Sequence, residues 1–301
     1  RVIWYLGKEL VKKGHKVIYL VKKGSHCHFG EVIYLDRSKP LSEQIPDHCD
    51  IVHFNFPVKE EIRKPYIITQ HGNCNDNREF DYNTVFISRN HAERYGSNAF
   101  VYNGLDWEDY GKVDLTIERK YFHFLGNAAW RLKNVKGAIR TIQKVKGEKL
   151  KVIGGYRLNI KMGFRLNLET NVSFYGMVND VRKNKLLQSS KGLIFPVRWH
   201  EPFGLSIIES LYFGCPVFGT PYGSLPEIVN KEVGFLSNRS EELAKELKHA
   251  AQYSKKTCHE YAADVFNSGK MAEAYLEKYS RVLNGEKLNT EKPRLKEIQK
   301  E

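Results

Sequence analysis

Two glutamates lie on either side of a glycine in the most informative segment of this chain, residues 195–229. Glu201 precedes the dipeptide Phe203-Gly204, and Glu209 lies inside the helix that the spacing predicts after Gly204. A strand–loop–helix corner directs backbone N–H groups and the positive end of the helix dipole into the loop, which suits a pyrophosphate. The carboxylates can accept hydrogen bonds from sugar hydroxyls. The segment therefore predicts a site for a nucleotide-sugar.

The alternative is an ordinary core helix at an ordinary corner of an α/β protein. One face of the predicted helix is apolar at Leu205, Ile208, Leu211 and Tyr212, and Glu209 would then be a solvated helix residue. The order of the whole segment favours the site, because strand, loop, helix, Gly-Cys-Pro stop and second strand follow one another without interruption.

The spacing of the two acids resembles the E-x7-E element of retaining GT-B glycosyltransferases, those of family 4 in particular. The resemblance implies that Glu209 binds the ribose hydroxyls of the donor and that Glu201 contacts the transferred sugar. It also implies that the loop residues lie against the donor, namely Phe203, Gly204 and Leu205.

A second segment, GNAAWRLKNVKG, begins at Gly126 after a predicted strand and leads into a helix. Lys133 precedes Asn134, a good N-cap, so its ammonium would lie near a helix N-terminus where diphosphate oxygens can bind. The segment resembles the glycine-arginine…lysine-glycine element of the family, whose cations neutralise the leaving diphosphate. Asn127 stands where that element has arginine, and Arg131 is the candidate to replace it.

Alternatives stay open for these cations. Lys136 competes for the role of Lys133, and any single lysine or arginine of a chain with 48 of them is by default a solvated surface charge. A further strand is predicted to end at Gly154-Gly155, and with Gly126 these glycines complete the predicted donor-binding set.

A histidine ends another predicted strand, in the sequence Ile67 to Gly72. This piece resembles the T-x-H-G segment in the acceptor domain of family 4 enzymes, which implies that His71 contacts the transferred sugar. Because ligands of α/β proteins bind where strands end, we expect His71 in the site. The alternative is an ordinary loop histidine.

Strand–glycine–helix units recur along the chain and predict doubly wound, mostly parallel sheets. The resemblance implies a GT-B fold with two Rossmann-like domains facing a cleft. We expect an acceptor-side domain at residues 1–110, a nucleotide-sugar domain at 111–265, a closing helix at 266–283 that packs back on the first domain, and a polar, frayed tail at 284–301. Residues 107–119 are polar and aperiodic and predict a linker. The chain opens on a helix, so the N-terminal strand and Gly-Gly loop of the family are expected to be missing or unnumbered.

Composition limits the partners. The 301 residues carry a net charge of +13, which favours nucleotide phosphates, an anionic membrane or nucleic acid. Nucleic acid fits poorly, because the lysines are spread over helix faces without interleaved aromatic residues. Five scattered cysteines indicate a reducing cytoplasm. No metal site is expected, because neither His26-Cys27-His28 nor the loop at residues 75–81 has the context of one.

The predicted function is metal-independent, retaining transfer of a sugar to a hydroxyl of a glycan or lipid-linked acceptor. The donor is a nucleoside-diphosphate sugar, UDP-sugar ahead of GDP- or ADP-sugar, and no further cofactor is required. The alternative is a catalytically inactive nucleotide-sugar-binding or regulatory protein of the same fold. The lysines near the first helix predict a cytoplasmic protein that lies at the inner face of the membrane. The alternative is that they are solvated helix charges that keep the protein soluble. Trp4 and Tyr5 would lie either at headgroup level or packed against the sheet.

Overall fold

The computed structural model describes residues 1–160 and 165–296. The chain divides into two compact units, each with its own parallel β-structure. Of the described residues, the first consists of Arg1–Asp106 together with residues 266–296, and the second of Trp107–Val265.

The first unit opens on an amphipathic helix and continues into parallel strands. Helix α1 (Val2–Lys12) buries Tyr5 and Leu6, and it is followed by β1 (Ile18–Val21) and β2 (Glu31–Tyr34), which pair in parallel. A second sheet has the order β3 (Val52–Phe54), β4 (Tyr66–Gln70) and β5 (Thr84–Phe86), again all parallel. Helix α2 (Arg89–Arg94) follows, with Ser88 as its N-cap.

The last described helix of the chain belongs to this first unit. It runs over Ser268–Leu283 and is numbered α9 below, after the six helices of the second unit. Its buried face carries Met271, Tyr275 and Tyr279, and the helix packs against α1 and β4. Tyr275 and Tyr279 reach a buried polar network there, because their hydroxyls lie 2.8 Å from Thr69 Oγ1 and from His53 Nδ1, respectively.

The expectation of a frayed tail is wrong for residues 284–296. Leu295 is buried with Phe80, Phe86 and Tyr95 in a small core. The backbone also pairs, because Phe80 N donates to the carbonyl of Pro293 at 2.8 Å. Alternation of lysine and glutamate suggested a solvated segment, but a few buried apolar side chains are enough to anchor the chain on the first unit.

The second unit has a six-stranded, fully parallel sheet. Its strands are β6 (Tyr121–Leu125), β7 (Leu150–Ile153), β10 (Val172–Phe174), β11 (Ser190–Phe195), β12 (Val217–Gly219) and β13 (Gly234–Leu236). They lie in the order β10-β7-β6-β11-β12-β13. The chain thus starts in the middle of the sheet, runs to one edge, and returns to β11 beside β6. This is the doubly wound order, and the strand order reverses between β6 and β11, where such sheets bind ligands.

Helices cover this sheet. They are α3 (Val135–Gln143), α4 (Asp180–Gln188), α5 (Leu205–Tyr212), α6 (Leu225–Ile228), α7 (Ser240–Leu247) and α8 (Lys255–Val265). Two short strands, β8 (Leu158–Asn159) and β9 (Arg165–Leu166), form an antiparallel pair between β7 and β10. Within the described ranges, no helix combines the length and the apolar character that crossing a membrane requires.

The first residues of the predicted linker, 107–119, do not behave as a free linker, and the second unit already begins at Trp107 rather than at residue 111. Trp107–Tyr110 forms a 3-10 helix, and Trp107 stacks on Tyr212 with ring centroids 4.1 Å apart and planes 7° from parallel. Aromatic stacking therefore attaches this segment to α5, a contact that the polar composition of the stretch did not reveal.

Candidate active site

Two strand-end loops meet beside the point where the strand order of the six-stranded sheet reverses. The loop after β6 contains Gly126, and the loop after β7 contains Gly154 and Gly155. Ala128 N donates to the Gly154 carbonyl at 2.9 Å. A Cβ on Gly154, where φ is +105°, would lie 2.3 Å from the Gly126 carbonyl oxygen, and one on Gly155 would lie 2.4 Å from Ala128 Cβ. Glycine is required here for loop-to-loop packing, whatever else these residues bind.

Lys133 and Glu201 form an ion pair at this point. Lys133 ends the 3-10 turn Arg131–Lys133 after β6, whereas Glu201 lies in the loop after β11. Their Nζ and Oε2 atoms are 2.5 Å apart, with side chains only 13% and 7% exposed. The two residues singled out from separate segments of the sequence are therefore neighbours. Arg131 is exposed at the start of the turn and is not part of this pair.

Aromatic rings enclose the ammonium of Lys133. Its Nζ lies 5.6 Å from the ring centre of Trp130, 5.2 Å from that of Phe195 and 5.1 Å from that of Trp199. The indole N–H of Trp199 donates to Glu201 Oε2 at 2.9 Å. Ring faces attract the cation and exclude water, so they fix its position and strengthen its field. Neither tryptophan is among the site residues predicted above, although Trp130 lies three residues before Lys133 and Trp199 two residues before Glu201.

Asn134 joins the two loops. It caps α3, with its side-chain oxygen accepting from Gly137 N at 3.0 Å, as its sequence position predicts. Its amide nitrogen donates to the Pro196 carbonyl at 2.7 Å. Asn134 has φ +55°, a left-handed conformation that asparagine tolerates better than most residues. One side chain thus both ends the Lys133 turn and attaches it to the loop of Glu201.

The N-terminus of α5 adjoins Glu201. Gly204 is the N-cap at φ +84°, and no side chain of the described residues caps this end. A Cβ at Gly204 would lie 2.6 Å from Ile207 and 3.3 Å from Glu201 Cγ, so glycine keeps the corner open. Phe203 is fully buried, and Leu205 is the first residue of α5. This is the uncapped helix start that the sequence predicts for an anion.

Glu209 lies in a second buried cluster, one turn into α5. Its Oε1 accepts hydrogen bonds from Lys183 Nζ at 2.5 Å and from the Tyr110 hydroxyl at 2.7 Å. Lys183 also pairs with Asp180 at 3.0 Å and lies 5.0 Å from the ring centre of Tyr110. Glu209 is 8% exposed, so it is not the solvated helix residue of the alternative interpretation. No pattern in the sequence points to Lys183 or Tyr110, because their contact with Glu209 is tertiary.

His71 belongs to the first unit and follows β4 directly. Its Nε2 lies 2.8 Å from Oδ1 of Asn55, the residue after β3. Burial lowers the pKa of His71, which favours the neutral imidazole. In a neutral ring whose Nε2 donates to the Asn55 amide oxygen, the other nitrogen, Nδ1, is free of a proton and accepts a hydrogen bond.

A cavity of about 380 Å³ in the second unit lies beside this site. It opens between α3 and the loops after β11 and β12, and its lining includes Arg140, Arg198 and Arg239. Neither Lys133 nor the two glutamates line it. No group of three or more histidine, cysteine, aspartate or glutamate side chains suited to a metal ion comes together among the described residues.

Comparisons with known proteins match this fold. AviGT4, a glycosyltransferase involved in avilamycin A biosynthesis, superposes with a TM-score of 0.73 at 20% identity over 95% of this chain and 90% of its own. Sucrose-phosphate synthase from Thermosynechococcus elongatus gives 0.67 at 16% identity over 93% and 92%. HepE from Anabaena, in complex with UDP-glucose, gives 0.58 at 18% identity over 72% of each chain.

A curated relative from Klebsiella pneumoniae, an uncharacterized 41.2 kDa protein in the cps region, is 28% identical over 116 residues. The match covers 36% of this chain and 32% of the relative, so it spans about a third of that protein's length.

Fold and site together define the class. The protein has an α/β fold with parallel sheets of the GT-B glycosyltransferase type. The family model of glycosyl transferases group 1 matches residues 107–264, more than half of the chain and nearly all of the second unit. The chain therefore belongs to the glycosyl transferases group 1 family, whose chemistry is glycosyl transfer.

Proposed function

We propose that this protein is a retaining glycosyltransferase that moves a sugar from a nucleoside-diphosphate donor to a hydroxyl of a glycan or lipid-linked acceptor. The main support for the proposal is the Lys133–Glu201 ion pair. It lies where the strand order of the six-stranded sheet reverses, beside the uncapped start of α5. A fixed cation and a helix N-terminus suit a diphosphate, and a carboxylate beside them suits a sugar.

Each residue has a role in this proposal. Lys133 and the N–H groups around Gly204 and Leu205 balance the charge that grows on the leaving diphosphate. Glu201 holds the transferred sugar, and Glu209 holds the ribose. The acceptor oxygen bonds to the anomeric carbon on the face that the phosphate leaves, and the departing phosphate oxygen takes the acceptor proton. The configuration of the donor is then kept, without a metal ion.

The units divide the substrates between them. We assign the donor to the second unit, where the family model matches, and the acceptor to the first. His71, at the end of β4, is assigned to the transferred sugar. HepE, which resembles this chain in fold, binds UDP-glucose, and this supports placing UDP-sugars first among the donors to be tested.

Contact with the inner face of a membrane is the further part of the proposal, supported by the net charge of +13. The first helix offers less charge and less exposed aromatic surface for membrane contact than its sequence suggests. Lys8 pairs with Asp106 at 2.5 Å and Lys13 with Glu273 at 2.9 Å. Tyr5 is buried, and the ring of Trp4 packs against Phe29 at 4.6 Å. Packing therefore accounts for the aromatic residues of this helix.

A panel of UDP-, GDP- and ADP-sugars, screened by thermal unfolding, tests the proposal. A ligand that binds the native state raises the midpoint in proportion to the logarithm of its concentration. We expect the sugars of one nucleotide, UDP, GDP or ADP, to raise the unfolding midpoint in this way. A donor that binds but is neither hydrolysed nor transferred would favour the inactive binding protein, and no response to any of them would refute the donor site.

A further inference from the structure

A β-hairpin lies in the crossover between β7 and β10 of the six-stranded sheet. The chain leaves β7 at Ile153 and re-enters the sheet at Val172, and its described part forms the antiparallel pair β8 and β9. Crossovers between parallel strands usually carry a helix whose apolar face covers the sheet. In this crossover the described apolar residues are exposed to solvent and do not cover the sheet.

Apolar and polar residues alternate without a break from Tyr156 to Leu168, in the sequence YRLNIKMGFRLNL. Alternate residues of a strand share one face, and the register places Leu158 opposite Leu166. The described apolar residues of this face are 52% to 77% exposed: Tyr156, Leu158, Ile160, Leu166 and Leu168. These five residues are called the apolar hairpin face below. It is turned to solvent, the reverse of a usual amphipathic hairpin.

Polar contacts fix the hairpin in this orientation. The guanidinium of Arg157 donates to the carbonyls of Asn167 at 3.3 Å, Glu169 at 3.1 Å and Val172 at 2.6 Å. It also lies 5.9 Å from the ring centre of Phe174, whose strand belongs to the sheet. The polar side of the hairpin therefore faces the unit, and reversing the hairpin would break these bonds.

The exposed surface continues beyond the hairpin. The ring of Tyr156 lies against Gly176, where an added Cβ would come within 2.8 Å of it. The next residue, Met177, is 77% exposed. A contiguous apolar patch that a folded protein leaves open usually marks an interaction site.

We propose that the apolar hairpin face enters the interfacial region of an anionic lipid bilayer. The chain that carries this face has a net charge of +13. An anionic leaflet attracts this charge, whereas a second copy of the chain repels it. Leucine, isoleucine and tyrosine are residues that the boundary between headgroups and acyl chains accommodates. This inference deepens the proposed membrane contact and locates it on the second unit.

Vesicle flotation tests it. The full chain is mixed with vesicles of phosphatidylcholine alone, or of phosphatidylcholine with phosphatidylglycerol, at low and high salt. We expect binding to the anionic vesicles that Leu158→Glu and Leu168→Glu each weaken at least tenfold. Leu283→Glu is the matched control, because Leu283 is similarly exposed at 48% but belongs to the first unit, and it should bind like the parent. Unchanged thermal midpoints confirm that the variants fold.

Three results would overturn the inference: no binding to anionic vesicles, equal binding by parent and hairpin variants, or equal loss in the Leu283→Glu control. Self-association of the parent in sedimentation velocity, abolished by Leu158→Glu without any vesicle binding, would assign the surface to a second copy instead. Donor-induced thermal stabilisation, measured on the same samples, reports separately on the proposed transferase site.

Discussion

Replacing Glu209 by glutamine separates the structural role of this residue from its proposed role in donor binding. The parent carboxylate accepts from both Lys183 and Tyr110, at 2.5 and 2.7 Å. Glu209→Gln keeps the shape and one carbonyl acceptor but removes the negative charge. It leaves the ammonium of Lys183 buried, with Asp180 at 3.0 Å as its remaining described ion-pair partner.

The expected loss of stability follows from this burial. Breaking a buried ion pair from one side costs about 3–5 kcal/mol, and the remaining contact with Asp180 places the loss near the lower end, about 3 kcal/mol. For a protein of this size that corresponds to a fall in Tm of roughly 6–12 °C. The donor loses an acceptor for one ribose hydroxyl, which weakens binding by a further 1–3 kcal/mol, or roughly 5- to 150-fold.

A double variant distinguishes the two effects. Glu209→Gln with Lys183→Met removes both charges, and we expect it to recover most of the lost stability. It should not recover donor affinity, because the one carbonyl oxygen that glutamine keeps still accepts from the Tyr110 hydroxyl, and the amide nitrogen cannot accept from the ribose. Stability is measured by thermal unfolding and affinity by calorimetric titration of the donor below the Tm of each variant. Donor affinity in Glu209→Gln equal to that of the parent would refute the ribose assignment, even if the Tm falls as expected.

Four further outcomes are expected. Lys133→Ala should lower kcat more than it weakens donor binding, and the reverse pattern in steady-state kinetics and titration would contradict its role in the transition state. Trp199→Phe removes the N–H that donates to Glu201 at 2.9 Å and should lower kcat about tenfold while the Tm stays within a few degrees. Asn127→Arg should tighten nucleoside-diphosphate binding by about 1 kcal/mol, since Asn127 is exposed near the start of the loop after β6, and unchanged affinity by titration would argue against a phosphate there. Burial lowers the pKa of His53 and His123 to about 3 in the folded protein, whereas in the unfolded chain the pKa of these histidines is about 6.5. Because the unfolded chain binds more protons between these two values, the free energy of unfolding from urea titrations should fall as the pH is lowered from about 6.5 towards 3. A constant free energy of unfolding between about pH 6.5 and 5 would contradict this.

Local patterns in the sequence were sufficient for the fold class and for several element boundaries. The strands predicted before Gly126 and before Gly154 are β6 and β7, and Asn134 caps α3 as expected, because periodicity and capping are properties of neighbouring residues. The Lys133–Glu201 pair could also be anticipated, since both loops follow strands of one parallel sheet and such strands end on the same edge.

The other contacts between distant segments at these sites could not be predicted from the sequence. Lys183 looked like one more helix lysine, and Tyr110 lay in an apparent linker, yet both bond to Glu209. The cage around Lys133 combines Trp130 with Trp199, which approach only when the sheet forms. Leu295 returns to the first unit from a segment whose charge predicted solvent exposure. Each depends on tertiary packing, which overrides local preference.

The central claim is retaining transfer that depends on the Lys133–Glu201 pair. Proton NMR of the reaction with the nucleotide-sugar that stabilises the protein most, in the presence of an acceptor, follows both release of the nucleoside diphosphate and the anomeric configuration of the product. The account predicts diphosphate release above the enzyme-free rate and a product with the anomeric configuration of the donor, both lost in Lys133→Met while donor binding persists. A product of inverted configuration, or full turnover by Lys133→Met, would contradict it.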